Sequence, residues 1–202
     1  MFSELARDDV FRLETPRLWL RWPQAADAET LCALAESREI ASAALKLPHP
    51  CRVEEAEDFI RLSRAEAERG EALRFVMTLK RFPRLLVGAI GVEARDGQPH
   101  LCSWLGRSFR GRGYAREAAA TLTDAFFQFA QAEQLGATVP ADHAASRGVL
   151  ENLGFALVER SDGAPGASAE NPALRFALPR QDWREHRSAG LRRRAGFDRA
   201  LT

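Results

Sequence analysis

The residues best suited to chemistry in this chain form a short basic glycine loop, Arg110 to Gly113. The loop follows a segment of strand character that ends at Leu105, and it precedes an amphipathic helix. Gly111 and Gly113 allow a ligand to approach the backbone closely, while Arg110 and Arg112 supply forked cationic donors. Because the positive end of the helix dipole lies at the same place, the loop predicts an anion site suited to a phosphate.

Two common glycine loops do not fit this segment. A dinucleotide fingerprint requires a third glycine three residues after Gly113, where Arg116 stands. A P-loop requires Gly-Lys followed by Ser or Thr, and the only lysines, Lys46 and Lys80, lie elsewhere in the chain. Considered alone, the segment also fits an ordinary glycine turn with surface arginines.

Three motifs in order carry a resemblance to a known family. Arg110-x-x-Gly113-x-Ala115 resembles the (Arg/Gln)-x-x-Gly-x-(Gly/Ala) coenzyme A loop of the GNAT superfamily of N-acetyltransferases. Residues 142–155 are similar to the family's later motif, in which a polar residue, a serine and a short helix lead to Leu-Gly-Phe. Residues 13–21 resemble the opening strand of the branch that contains ribosomal-protein N-terminal acetyltransferases. The chain is identified as a member of this superfamily on the order and spacing of the three motifs.

The resemblance implies an α+β fold for residues 1–180, a single GNAT-like domain. Its central sheet would be mixed but mostly antiparallel, split by the acetyl-CoA cleft and flanked by helices. At 202 residues, the chain has room for one substantial core. Residues 181–202 are predicted to form an arginine-rich C-terminal tail or helix.

Periodicity and turn residues predict the elements that position the loop. A helix after Gly113 has an apolar face that includes Leu122, Phe126 and Phe129. Strands are predicted over 73–79, 85–94 and 100–105, with turns at residues 81–83 and 96–99 between them.

The resemblance also implies a coenzyme site and a co-substrate, acetyl-CoA. The pantetheine arm would pair with the backbone of the strand before the loop, and the pyrophosphate would lie on the loop itself. His143 stands where the family usually has asparagine. The implied coenzyme-binding residues are Ser103, Trp104, Leu105, Arg110, Gly111, Arg112, Gly113, Tyr114, Ala115, His143 and Ser146.

Two residues are candidates for proton transfer. His100 stands where this branch often has a glutamate, and a histidine can accept a proton near neutral pH. An ordinary strand-end histidine is the alternative. Ser146 matches the family serine near the coenzyme sulfur and could donate to the departing thiolate, or it could act as a helix N-cap. Tyr114, the only tyrosine, lies at the pyrophosphate loop, so no tyrosine is left for the general-acid role that some members of the family use.

The acceptor side is less specified. The family's acceptor loop corresponds to residues 45–52, so His49 and Trp22 are predicted to contact the substrate. The leading hypothesis is acetyl transfer to a primary amine, either a protein N-terminus or a small amine. The alternatives are an aminoglycoside or polyamine acetyltransferase, and a non-catalytic acyl-CoA-binding sensor or interaction module.

Composition places the chain among globular proteins rather than nucleic-acid or membrane binders. The net charge is +1, although the C-terminal segment carries Arg192, Arg193 and Arg194, which fit a solvated helix face better than an RNA site. The longest apolar stretch is too short to span a bilayer, and no secretory signal is evident. Three widely separated cysteines indicate a cytoplasmic location, and their spacing is not that of a metal site. The sequence leaves a homodimer open.

Overall fold

The structure, a computed structural model, describes residues 11–34, 50–161 and 172–199. The strands are β1 (Arg12–Glu14), β2 (Leu18–Arg21), β3 (Ala72–Leu79), β4 (Phe82–Arg95), β5 (Gln98–Leu105), β6 (Gln134–Pro140), β7 (Ala156–Ser161) and β8 (Ala173–Pro179). The α-helices are α1 (Ala28–Leu34), α2 (Val53–Glu68), α3 (Tyr114–Phe129), α4 (Ala144–Asn152) and α5 (Arg180–Arg199).

One eight-stranded sheet organises the described residues, with the order β1-β2-β3-β4-β5-β6-β8-β7. Every neighbouring pair is antiparallel except β5 and β6, which are parallel. The predicted mixed, mostly antiparallel sheet in an α+β domain is therefore confirmed.

The two hairpins beside β4 differ from the predicted turns. The turn predicted at residues 81–83 is confirmed only at Arg81: it lies at Lys80 and Arg81, and β4 already begins at Phe82, which pairs with Leu79. The second turn is confined to Asp96 and Gly97, whose φ values are 50° and 73°. Both residues adopt the left-handed conformation that a two-residue hairpin requires, so β5 starts two residues earlier than predicted.

Helices cover both faces of the sheet. Leu122 and Phe126 of α3 pack on one face with the larger buried cluster. Leu31 of α1 and Ala56 of α2 pack on the other face, against Trp104 and its neighbours. β5 therefore lies between two helical layers. The helix α3, which follows the glycine loop, covers one face, and α1 and α2 cover the other.

A disulfide joins Cys32 of α1 to Cys51, which precedes α2. This pair differs from the expectation of a reducing compartment that was drawn from the cysteine spacing. Among the described residues, Cys102 on β5 takes no part in a disulfide. The disulfide holds the end of α1 beside the start of α2.

The C-terminal helix α5 begins against α3. Arg180 donates to the carbonyls of Phe127 and Ala132, at 2.7 and 2.8 Å. Trp183 stacks on Phe127 with ring centroids 5.1 Å apart, and its Nε1 donates to Asp124 at 2.7 Å. None of the helices in the described ranges has the length and apolarity needed to cross a membrane.

Candidate active site

The sheet splits where its only parallel pair ends. β5 and β6 pair at His100 with Gly136 and at Leu101 with Ala137. Beyond these residues β5 continues to Leu105 on β4, while β6 continues on β8. A gap therefore opens between the second half of β5 and the end of β6.

Antiparallel alternation decides which backbone groups face this gap. The Gly106 N–H donates to the Val87 carbonyl at 3.0 Å, so the register turns the backbone groups of Trp104 toward β4. Those of Ser103 and Leu105 point the other way, toward the gap. The Leu105 carbonyl accepts a hydrogen bond from Arg110 Nε at 3.2 Å, which brings this arginine to the mouth of the gap.

The glycine loop leads directly into α3. Gly113 is the N-cap residue with a φ of 77°, and Gly111 has a φ of 73°. No side chain caps the helix at Gly113. The first N–H groups of a helix have no intrahelical partner, so an uncapped start offers them to an anion. This end of the gap is where the sequence predicts an anion site.

A polar network anchors this loop to the start of β2. Glu117 of α3 accepts hydrogen bonds from Thr15 Oγ1 at 2.5 Å and from Arg17 N and Nε, both at 2.6 Å. Arg17 also donates to the Arg112 carbonyl at 2.9 Å, and its guanidinium lies 4.6 Å from the Tyr114 ring centroid. Burial opposes ionisation of Glu117, but the bonds from Thr15 and Arg17 outweigh it, so the pKa of the carboxyl is lowered.

Sequence reasoning missed Thr15, Arg17 and Glu117 as residues of the site. Thr15 and Arg17 belong to the opening-strand motif, but the motif does not reveal a partner about 100 residues away. Glu117 lies in the first turn of α3, where an acidic residue is also common for dipole reasons. Its charge is neutralised by Arg17, so it does not cancel the positive potential at the loop.

His100 lies one residue before Leu101, where β5 and β6 last pair, so it is next to the vertex of the gap. Its side chain is buried, and its ring contacts Gly136 so closely that a Cβ there would lie 2.9 Å from it. Nδ1 is 3.3 Å from the Gln98 carbonyl. Burial lowers the pKa of His100, and the positive charges of Arg95 and Arg175 act in the same direction. The imidazole is therefore neutral at neutral pH and able to accept a proton.

His143 and Ser146 lie together at the start of α4, which follows β6. His143 is the N-cap residue, and its Nδ1 accepts a hydrogen bond from the Ser146 N–H at 3.2 Å. The interpretation of Ser146 as an N-cap is therefore wrong, since Ser146 lies inside the first turn. Because Nδ1 is the acceptor of this bond, Nε2 is the ring nitrogen left to contact a ligand.

The face of the sheet under α1 and α2 carries a depression beside the gap. Phe59 of α2, Gly91 of β4, and Cys102 and Trp104 of β5 are among its lining residues, together with Arg74. Cys102 and Trp104 share this face with His100 because side chains two residues apart on a strand point the same way.

The charges under α2 are already paired. The guanidinium of Arg74 forms ion pairs with Glu66 and with Glu93, the latter at 3.1 Å. Glu93 also accepts from Arg95 Nε at 2.8 Å. Buried charges are unfavourable unless they are paired. Each carboxylate of this cluster, Glu66 and Glu93, has a cation beside it.

Trp22, one of the two predicted acceptor residues, does not lie at the gap. Trp22 is buried in the core against Phe75, with ring centroids 4.8 Å apart. It follows β2, which β3 and β4 separate from β5, so the structure places Trp22 in an aromatic cluster and not at the gap. His49 lies outside the described residues.

Comparisons with known proteins agree with this geometry. A family model described as an acetyltransferase (GNAT) domain matches residues 17–156. The uncharacterized N-acetyltransferase p20 of Bacillus licheniformis is 28% identical over 146 residues, or 71% of this chain and 81% of that protein.

Solved structures share the fold. RimJ of Mycobacterium smegmatis, in complex with CoA-disulfide, aligns with a TM-score of 0.71 and 22% identity over 91% of this chain and 95% of its own. The microcin C7 self-immunity acetyltransferase MccE, in complex with acetyl-CoA and AMP, aligns with a TM-score of 0.66 and 17% identity over 81% of this chain and 93% of its own. Because the family model spans more than half of the sequence, this chain belongs to the GNAT family of acetyltransferases.

Proposed function

We propose that this enzyme transfers the acetyl group of acetyl-CoA directly to a primary amine, either a protein N-terminus or a small amine. The observation that carries the proposal is the continuity of the β5–β6 gap with the uncapped start of α3. The free backbone edge of β5 can pair with amides, and it leads to a helix start that can bind an anion. The amides of pantetheine and the pyrophosphate follow each other in the same order along the coenzyme. The acetyl-CoA and CoA complexes of proteins with this fold support the same assignment.

The loop and the strand edge divide the work of binding. The N–H groups of residues 110–115 would hold the pyrophosphate, with the guanidinium groups of Arg110 and Arg112 adding charge. The backbone of Ser103 and Leu105 would pair with the amides of the arm. Trp104 would contribute its side chain rather than its backbone, which is turned toward β4. His143 would face the arm from the start of α4.

Acetyl transfer requires a base for the amine and stabilisation of the leaving group, and two side chains can serve these needs. Acetyl-CoA supplies an activated acyl group on a thiol leaving group. His100, held neutral by burial, would accept the proton that the attacking amine loses. Ser146, in the first turn of α4, would donate a hydrogen bond that stabilises the departing thiolate, and solvent would then protonate the thiolate.

The charge pattern favours an amine of low charge over a polycation. A polyamine or aminoglycoside needs unpaired carboxylates in its pocket, whereas Glu66 and Glu93 are paired with Arg74. The acidic residues at the start of α2 include Glu55, which accepts hydrogen bonds from Arg52. An aminoglycoside or polyamine acetyltransferase is thus less supported than an enzyme that acts on a protein N-terminus or a small amine of low charge.

The test follows free thiol released from acetyl-CoA in the presence of peptides, ribosomal proteins, polyamines and aminoglycosides. We expect release that depends on an amine, and we expect His100→Ala and Ser146→Ala to slow it by about 10²-fold or more. Coenzyme binding without thiol release across the whole panel would contradict the proposal and favour a non-catalytic acyl-CoA-binding module.

A further inference from the structure

Trp104 carries a buried hydrogen-bond donor that the described residues leave unsatisfied. Its side chain is 8% exposed, and its indole Nε1 has no acceptor within the described ranges. Burial removes water from the N–H without replacing the lost hydrogen bond, which is unfavourable. Such a donor in a candidate substrate site points to an acceptor atom that the ligand brings.

The surroundings of Trp104 narrow the kind of ligand. The depression is lined by the ring of Phe59, and Gly91 adds no side chain to its floor. Arg74, the cation at its edge, is engaged by Glu66 and Glu93. A neutral group that offers one oxygen and moderate apolar contact fits these walls better than a charged group.

We propose that Trp104 determines acceptor specificity by donating its Nε1–H to a carbonyl oxygen adjacent to the reacting amine. The inference rests on the proposed acetyl transfer and names its substrate class. A peptide N-terminus or an amino acid amide carries a carbonyl one carbon away from its amine. Polyamines and simple alkylamines lack this oxygen and would leave the indole N–H unpaired.

The experiment compares alaninamide with sec-butylamine, an amine of similar shape without the carbonyl, in the wild type and in Trp104→Phe. We expect the ratio of kcat/KM between alaninamide and sec-butylamine to fall about tenfold in Trp104→Phe, the scale of one neutral hydrogen bond. Comparing ratios cancels the different basicities of the two amines. Trp183→Phe, the same change on α5, is the matched control and should keep the wild-type ratio. An unchanged ratio in Trp104→Phe would overturn the inference.

A second readout does not depend on turnover. In a protein with ¹⁵N-labelled tryptophan, the four indole groups give separate signals, and the one lost in Trp104→Phe is that of Trp104. Saturating alaninamide in the presence of CoA should move this signal, whereas sec-butylamine should not. Absence of that movement would also overturn the inference. If the wild type acetylates neither amine nor any other, the proposed function fails and the inference fails with it; turnover without discrimination refutes the inference alone.

Discussion

Glu117→Gln tests whether the network at the start of α3 supports both stability and coenzyme binding. The carboxylate accepts three hydrogen bonds, two of them on Oε1 and one on Oε2 from the Arg17 guanidinium. A glutamine keeps one acceptor oxygen but places an NH₂ group against a donor. The loss therefore includes the charge-assisted bond to Arg17.

The expected magnitude follows from the exposure of the partners. The Glu117 side chain is 12% exposed, but that of Arg17 is 48% exposed, so solvent already screens part of the pair. We expect the free energy of unfolding to fall by about 2 kcal/mol, given about 1.5–3 kcal/mol for a hydrogen bond to a charged group. In a domain of this size this corresponds to a Tm about 4–8 °C lower.

The pH dependence of the free energy of unfolding tests the same network independently. The pKa of Glu117 is lowered in the folded protein, so the unfolded chain binds the proton more readily. The stability supplied by the carboxylate is thus complete above the ordinary glutamate pKa and is lost as pH falls through the lowered folded value. The difference in stability between wild type and Glu117→Gln should shrink over that acidic range.

The assay is urea unfolding of wild type, Glu117→Gln and the control Glu57→Gln, which makes the same change at an exposed position of α2. Calorimetry of CoA binding should show Kd raised about fivefold in Glu117→Gln, because Arg17 would no longer hold the Arg112 carbonyl as firmly; this is about 1 kcal/mol. Equal stability of Glu117→Gln and Glu57→Gln, with unchanged Kd, would show that the Glu117 network supports neither stability nor coenzyme binding.

Three further changes probe the loop, the vertex and the disulfide. Gly113→Val should raise the Kd of CoA at least tenfold, because the φ of 77° strains a valine and its side chain blocks the backbone; unchanged affinity by calorimetry would contradict this. In a pH–rate profile, kcat/KM should show an acidic limb below the ordinary histidine pKa, in addition to the limb of the amine itself, and the histidine limb should vanish in His100→Gln; an unaltered limb would exclude His100 as the base. Cys51→Ser should lower the free energy of unfolding by about 3 kcal/mol, since it opens a link spanning 19 residues to Cys32; identical urea midpoints would contradict a disulfide in solution.

The loop and its helix could be predicted because their signals are local. Glycine positions, the basic residues and the apolar spacing of α3 lie within one segment, and α3 indeed starts at Tyr114. The helix face was only partly correct, since Phe129 is 56% exposed while Phe127 is buried. Trp183 of α5 stacks on Phe127, and a periodicity within one helix cannot reveal which second helix will cover it.

The features that the sequence did not give depend on strand pairing and on the order of elements in the sheet. Phe82 has strand structure because Leu79 pairs with it across a two-residue turn, which outweighs the turn preference of the following proline. The pairing of Cys32 with Cys51 depends on where α1 and α2 lie, and spacing alone does not give it. Trp22 lies in the core because β3 and β4 separate β2 from β5, and the order of strands in the sheet cannot be read from the residue type.

The proposed function requires acetyl-CoA to lie in the β5–β6 gap with its diphosphate on the start of α3. A crystal structure of the complex with CoA would show this placement. Diphosphate oxygens should lie about 3 Å from backbone nitrogens of residues 111–115, with the arm beside Ser103 and Leu105. A diphosphate bound away from Gly113, or an arm that leaves the edge of β5 untouched, would contradict it.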